Sequence, residues 1–407
     1  MASINGHQHV EESQANVVPR ASIDGRQKEI LEGCETKDIG VLRNIALAPG
    51  GFLTDHLRSR AWPILLGFDA DAPSDDSTEA SASWKHLPMH RDEEQVKLDV
   101  NRSFVYYPNG TNQNPPTTTY MTNSPGLDNS QAQLEKKKSE LSDLITQVLR
   151  EQPYLCYFQG YHDICQVLLL VLPPPLRSLA VSRLSVLRIR DFMLPTLSPA
   201  VAQLHLIPDV LRAADPALCA HLSRNEPYFA LADTLTMFAH NVQRYRDIAR
   251  LFDALLAREQ AFGLYVFARI VLRRRAELLA HDEPDMLHFA LSKLPPDLDL
   301  DAVVAEADRL FADHPPESLP SWRRISRASA LRTTRDASAL ASQSLQDGQA
   351  FFEKQVRELQ WAEQTQKVMQ VVWANRALLF TVLIGVGAVY LRKTSAWDGL
   401  MARLGGS

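Results

Sequence analysis

The stretch Tyr157–Leu172, YFQGYHDICQVLLLVL, decides how this chain reads. From Ile164 to Leu172 it is almost continuously apolar. It then stops at Pro173-Pro174-Pro175, whose rings lack amide donors and clash with a preceding helical turn. That pattern predicts a buried helix, entered through the polar pair Gln159-Gly160. Working outward, the period stays helical on both sides. Upstream, Leu134 to Leu149 places Leu141, Leu144, Ile145 and Val148 on one face. Arg91 to Phe104 sets Val96, Val100 and Phe104 at steps of four. Leu53 to Leu66 repeats the pattern and ends at Gly67. Gln27 to Leu47 does so with Ile30, Leu31, Cys34, Ile39, Leu42 and Ile45, before Pro49-Gly50-Gly51 breaks it. Downstream, helical periods recur from Leu176 to Leu294 with short breaks. Almost nothing alternates with period two, so the expected fold class is all-α.

Between the helices, composition marks the boundaries. Residues 1–26 are polar and aperiodic and read as a disordered leader. Asp69 to Ser83 is a loop rich in Asp, Ser and Ala, and Asn, Thr, Pro and Gly dominate 108–130, which reads as an insertion adding no core. The helical domain extends over 27–314. The basic, Ser-containing segment 315–342 reads as a linker. Residues 343–370 hold eight Gln, with Phe352, Val356 and Leu359 at heptad-like spacing, and predict one more helix.

The whole chain has 407 residues, 45% hydrophobic and 22% charged, with 43 Lys and Arg against 48 Asp and Glu. This is the composition of a folded protein, and its net charge of -5 argues against a dedicated nucleic-acid binder. Cys34, Cys156, Cys165 and Cys219 are scattered, and no secretory leader precedes them, so they are expected as reduced thiols on the cytosolic side. The average hides one run, Ala377 to Leu391, which carries no charge. As a helix it is about 22 Å long, and about 31 Å when extended upstream to Val371, against roughly 30 Å of bilayer hydrocarbon. A buried core helix also has this length. The missing amphipathic stripe, Gly385 and Gly387, and the aromatic flanks Trp373, Tyr390 and Trp397 favour a membrane anchor over 371–391, with 392–407 as a short tail. The short span suits the thinner endoplasmic-reticulum bilayer.

Several chemistries lack their signatures: there is no GxxxxGK[ST] loop, no GxGxxG after a strand, no GxSxG and no HExxH. His86 and His90, and Cys156, His162 and Cys165, do not have the paired spacing of a zinc site. His86 and His90 read as surface loop residues, and Cys156 and Cys165 as small core residues. Two clusters remain. Asp99 and Arg102 lie three apart on a helix, where the carboxylate can hold the guanidinium. Tyr157-Phe158-Gln159-Gly160-Tyr161-His162-Asp163 puts Gln159 beside a glycine at a helix entrance. Each alone could be a surface pair or an ordinary turn.

Together, and in this order after Arg60-Ala61-Trp62-Pro63-Ile64-Leu65-Leu66-Gly67, they resemble the RxxWxxLLG, IxxDxxR and YxQGxxD elements of the TBC-domain family of Rab GTPase-activating proteins. The wording is most like that of an endoplasmic-reticulum-anchored subgroup, which also carries a membrane segment near its C-terminus. The resemblance covers roughly Gln27 to Pro295. It implies an activator of another protein's GTPase rather than an enzyme by itself, acting on a Rab of early secretory traffic. Arg102 would be an arginine finger and Gln159 a glutamine finger. Asp99 would orient Arg102, Gly160 would let the backbone approach the partner, and Tyr157 and Asp163 would support them. GTP and Mg²⁺ would come with the GTPase, and the chain needs no cofactor of its own. Ser103-Phe104 and Tyr161 stand where the family often has Thr with a nearby Pro, and Met. A different class, a membrane-anchored Rab-binding tether without catalytic effect, would use the same scaffold.

Overall fold

The computed structural model describes residues 20–70, 80–107 and 126–376, with isolated positions 386, 389 and 390. Among them there are helices and no strand. In chain order the first seven are α1 (Arg20–Glu35), α2 (Ile39–Leu47), α3 (Asp55–Leu65), α4 (Glu93–Val100), α5 (Gly126–Glu151), α6 (Tyr161–Val171) and α7 (Pro174–Arg183). After them come α8 (Ser198–Leu204), α9 (Leu206–Ala214), α10 (Pro216–Leu222), α11 (Leu231–Leu235), α12 (Tyr245–Ala257) and α13 (Phe262–Arg273). The last six are α14 (Arg275–Leu278), α15 (Pro284–Leu291), α16 (Leu300–Asp313), α17 (Ala330–Thr333), α18 (Ala337–Ala341) and α19 (Leu345–Ala374).

Local chemistry explains the boundaries. Asp38, Thr54, Asp215 and Asp299 each accept from a backbone amide three residues on, satisfying donors that the first turns of α2, α3, α10 and α16 leave free. The centre is built on two helices apolar nearly all round. In α6, Ile164, Cys165, Val167, Leu168 and Leu169 are buried; in α13, Phe262, Tyr265, Val266, Phe267 and Ile270 are. α13 packs between α9 and α16, and α6 packs against α5 and α7. A helix buried on every side needs no polar stripe.

One buried ion pair ties α12 to α3. Asp253 on α12 is fully buried and accepts from Arg58 Nε at 3.0 Å, Trp62 Nε1 at 2.8 Å and the Phe52 amide at 3.1 Å. Trp62 of the RxxWxxLLG-like element therefore acts as a donor to this carboxylate as well as a core ring.

Several boundaries differ from expectation. α1 starts at Arg20, inside the expected leader, because its buried Ile30 and Cys34 give the preceding turns something to extend from. Residues 1–19 lie outside the described residues. α5 begins at Gly126, inside the expected insertion, whose remaining part, 108–125, also lies outside them. The helix read over Arg91–Phe104 stops at Val100, and Phe104 takes a φ of 63°.

The largest correction is at 315–342. This segment is no linker: Leu319, Trp322, Ile325, Leu331 and Leu340 are buried. Two of its five arginines are taken up by neighbouring groups. Arg332 and Arg335 lie over the Trp322 ring at 4.9 and 5.4 Å, and Arg335 pairs with Glu259 and Glu317 at 2.6 Å. A Ser- and Arg-rich composition conceals this, because burial is not a local pattern and the partner Glu259 lies outside the segment.

The chain divides after Phe352, within α19, whose remainder runs to Ala374. There Trp361, Val368, Met369, Val371 and Trp373 are exposed. Of the expected anchor, 377–385, 387–388 and 391 lie outside the described residues, as does the whole tail. Among the described residues no helix is long and apolar enough to cross a membrane.

Candidate functional site

Arg102 follows the last turn of α4. Its side chain is 63% exposed, yet it is tethered by a hydrogen bond to Asp99, which is fully buried. Spacing of three along a helix suits either a surface pair or this arrangement. Burial settles which. A buried carboxylate must find donors, and Asp99 has three: Arg102, Gln95 Nε2 at 3.1 Å and the Tyr157 hydroxyl at 3.0 Å. Burial and the neighbouring Asp99 push the Tyr157 hydroxyl far above the usual phenol range, so it stays a proton donor. The Tyr157 amide donates to Asp92 at 2.9 Å. Tyr157 therefore joins the loop entering α6 to the start and end of α4.

Gln159, two residues on, is exposed and makes no side-chain hydrogen bond with any described residue. Gly160 places it. Gly160 has φ 102°, a region that L side chains rarely adopt, and a Cβ there would lie 2.6 Å from the Thr236 methyl. The glycine is therefore required twice, by its backbone angle and by the close approach of α11. Gly160→Ala is expected to cost about 1–3 kcal/mol of stability and to lower any activity that depends on Gln159. Urea denaturation checks the first effect. Combining it with Thr236→Ser, which removes the methyl, should recover part of the loss; no recovery would mean that the contact plays no part.

Arg102, Gln159, Gly160 and Asp163 all line one open cleft of about 590 Å³. Its walls are the segment 102–107, the start of α6, and the segment 228–240. Tyr107 ties the first wall to the third, its hydroxyl donating to the carbonyls of Ala239, at 3.1 Å, and Val242. Val105, Tyr106 and Tyr228 stand exposed at the rim, a mostly apolar border around one exposed cation and one exposed amide. Asp163 accepts from His240 Nδ1 at 3.0 Å, and this bond raises the His240 pKa from its ordinary value.

All six residues singled out from sequence, Arg102, Gln159, Asp99, Gly160, Tyr157 and Asp163, are brought together here. Sequence reasoning missed Gln166, whose Oε1 accepts from the Phe104 amide at 2.9 Å and fixes the bend after Arg102. A single polar residue inside the apolar run Ile164–Leu172 was the available signal, since a buried amide needs a partner. It also missed Tyr107, Thr236 and His240, which no local pattern marks.

The His and Cys groups follow their sequence reading in part. His86 is exposed, but His90 is buried, with Nε2 3.0 Å from the Leu155 carbonyl. Cys165 is core, whereas Cys156 is half-buried and accepts from Arg91 at 2.9 Å. Among the described residues no cluster of His, Cys, Asp and Glu could hold a metal ion.

This fold and this cleft define a class, and comparison bears it out. A family model of the Rab-GTPase-TBC domain matches residues 55–279, more than half of the chain, and the chain belongs to that family. It is similar to TBC1 domain family member 20 of Homo sapiens, at 33% identity over 303 residues, covering 72% of this chain and 69% of that protein. Similarity to the GTPase-activating protein gyp10 of Schizosaccharomyces pombe, also at 33% identity, runs over 341 residues, 82% of this chain and 84% of the relative. Among solved structures, the Ypt/Rab-GAP domain of Gyp1p superposes with a TM-score of 0.52 at 15% identity, covering 70% of this chain and 98% of that one. That likeness concerns the fold.

Proposed function

We propose that this chain stimulates GTP hydrolysis by a Rab-family GTPase of early secretory traffic, supplying Arg102 and Gln159 in trans. The observation that carries the proposal is the pairing in one cleft of an exposed guanidinium, held from behind by buried Asp99, with an exposed, uncommitted amide. Phosphoryl transfer spreads negative charge over the transferred oxygens and needs a water held in line. A guanidinium with one donor on Asp99 keeps its remaining donors for those oxygens. An amide offers an acceptor and a donor, which is what aiming a water requires. Asp99 fixes the first group, Gly160 the second, and Tyr157 links them. GTP and Mg²⁺ arrive with the partner.

Such a site works only against a protein that brings the nucleotide, and the apolar rim of Val105, Tyr106 and Tyr228 suits a protein surface. The test is a panel of Rab GTPases loaded with GTP, each assayed with the purified chain. Acceleration of at least one is expected. Tight binding without acceleration across the panel would favour a tether instead.

We infer further that 371–391 anchors the chain in the endoplasmic-reticulum membrane with the helical domain in the cytosol. The uncharged run Ala377–Leu391 and its aromatic flanks support this. Carbonate-resistant membrane association is expected, and deletion of 377–391 should abolish it. Retention of association by the deleted chain would refute the anchor.

A further inference from the structure

The turn that carries Arg102 is closed by a side chain that the proposed mechanism does not use. Asn101 makes the last bond of α4 in the α register, its amide donating to the Lys97 carbonyl at 3.2 Å. The next two amides reach back three residues instead of four, Arg102 to Asp99 at 3.0 Å and Ser103 to Val100 at 2.9 Å. That is 3₁₀ geometry, in which side chains at i and i+3 eclipse one another. Arg102 is thereby stacked on Asp99, the carboxylate that tethers its guanidinium.

Phe104 decides whether the chain settles back into a helix. In an α-helix the acceptor for its amide is the Val100 carbonyl, four residues back. The amide donates instead to Gln166 Oε1 at 2.9 Å, and the backbone leaves the helix through a φ of 63°, a region that few residues other than glycine adopt. The Phe104 ring is buried, and so is Gln166, which stands on α6 among buried Ile164, Cys165, Val167 and Leu168. A buried amide donor needs an acceptor. With Gln166 that acceptor lies on α6. Without it the helical acceptor is Val100, and taking it converts the tight turn into an α turn, in which positions 99 and 102 are staggered by about 60°.

Resting on the proposed GTPase activation, we propose that Gln166 is a positioning residue for Arg102. By drawing the Phe104 amide to α6 it ends α4 in the tight turn that stacks the finger on Asp99. The same bond sets that turn in register with the helix that Gln159 and Gly160 open, so one buried amide ties both catalytic elements together.

The experiment uses the full chain and a responsive Rab in single-turnover hydrolysis, with the chain in excess and raised to saturation. Gln166→Met keeps the length of the side chain and removes the acceptor, whereas Gln166→Glu keeps an oxygen that accepts whether or not the carboxyl is ionised. Gln166→Met is expected to lower kcat about five- to hundredfold, the factor that a buried donor without a partner amounts to. KM should change by less than about threefold, since the interaction lost is one made in the transition state. Gln166→Glu should recover most of the lost kcat. A role in stability alone gives another pattern: a smaller folded fraction raises the half-saturating concentration and leaves the saturated rate as it was. Wild-type kcat in Gln166→Met, a loss confined to KM, or no recovery in Gln166→Glu would overturn the role given to Gln166.

Should Gln166→Met not fold, hydrogen exchange of the wild-type chain decides. The Phe104 amide is expected to be protected at least about tenfold more than those of Val105 and Tyr106, which donate to no described residue. An unprotected Phe104 amide refutes the turn. A protected Phe104 amide in a chain that accelerates no Rab would fail the activation reading and leave the turn standing.

Discussion

Arg102→Ala is expected to lower the stimulated rate of GTP hydrolysis by about 10³ to 10⁵, the range for arginine fingers supplied to Ras-type GTPases and equivalent to roughly 4–7 kcal/mol of transition-state stabilisation. The loss should fall on kcat, because the charge that the guanidinium meets develops only as the phosphoryl group transfers. Arg102→Lys is expected to recover little. An ammonium is a compact charge on a flexible stem, and it has no planar fork to keep one donor on Asp99 while presenting others. Stability should fall far less than activity, by about 1–3 kcal/mol, since the Arg102 side chain is 63% exposed and the buried Asp99 keeps Gln95 and Tyr157 as donors. Single-turnover hydrolysis and urea denaturation of the same preparations separate the two effects. Loss of rate together with loss of fold would show that Arg102 is structural.

Asp253→Ala should do the reverse. Its carboxylate is fully buried and holds Arg58, Trp62 and the Phe52 amide. Arg58 has a second partner in Asp55 at 2.9 Å, but that carboxylate is 38% exposed and reaches only Nη1. Removing one partner of a buried pair leaves a charge without compensation and costs about 3–5 kcal/mol. A typical domain has about 5–15 kcal/mol in all. The urea midpoint should fall sharply with the slope unchanged, and the residual folded protein should still activate its GTPase. A midpoint shift worth less than about 1 kcal/mol would mean that the trio of donors finds other acceptors.

The helices and the pairing of Asp99 with Arg102 were legible in the sequence because both depend on local pattern. An apolar run closed by prolines can be read without knowing its neighbours, and so can Asp99 three residues before Arg102. What local pattern does not encode is burial. The spacing of Asp99 and Arg102 is the same for a solvated pair as for an exposed arginine held by a carboxylate inside the core. The rest of the cleft is assembled across distance. His240 lies 77 residues from Asp163, and Tyr107 reaches a carbonyl 132 residues on. The segment 315–342 was misread because burial is not encoded locally. Its Arg332 and Arg335 look solvated until Trp322, Glu317 and the distant Glu259 are placed beside them.

The central claim is that both catalytic groups come from this chain, the water-aiming amide included. It is tested most directly on a responsive Rab whose own water-positioning glutamine has been replaced by alanine, by measuring single-turnover GTP hydrolysis with the wild-type chain, Arg102→Ala and Gln159→Ala. The account predicts that the wild-type chain still accelerates this GTPase close to its full extent and that each substitution abolishes the acceleration. If the wild-type chain loses its effect on the altered GTPase, or Gln159→Ala keeps it, the amide in trans is contradicted.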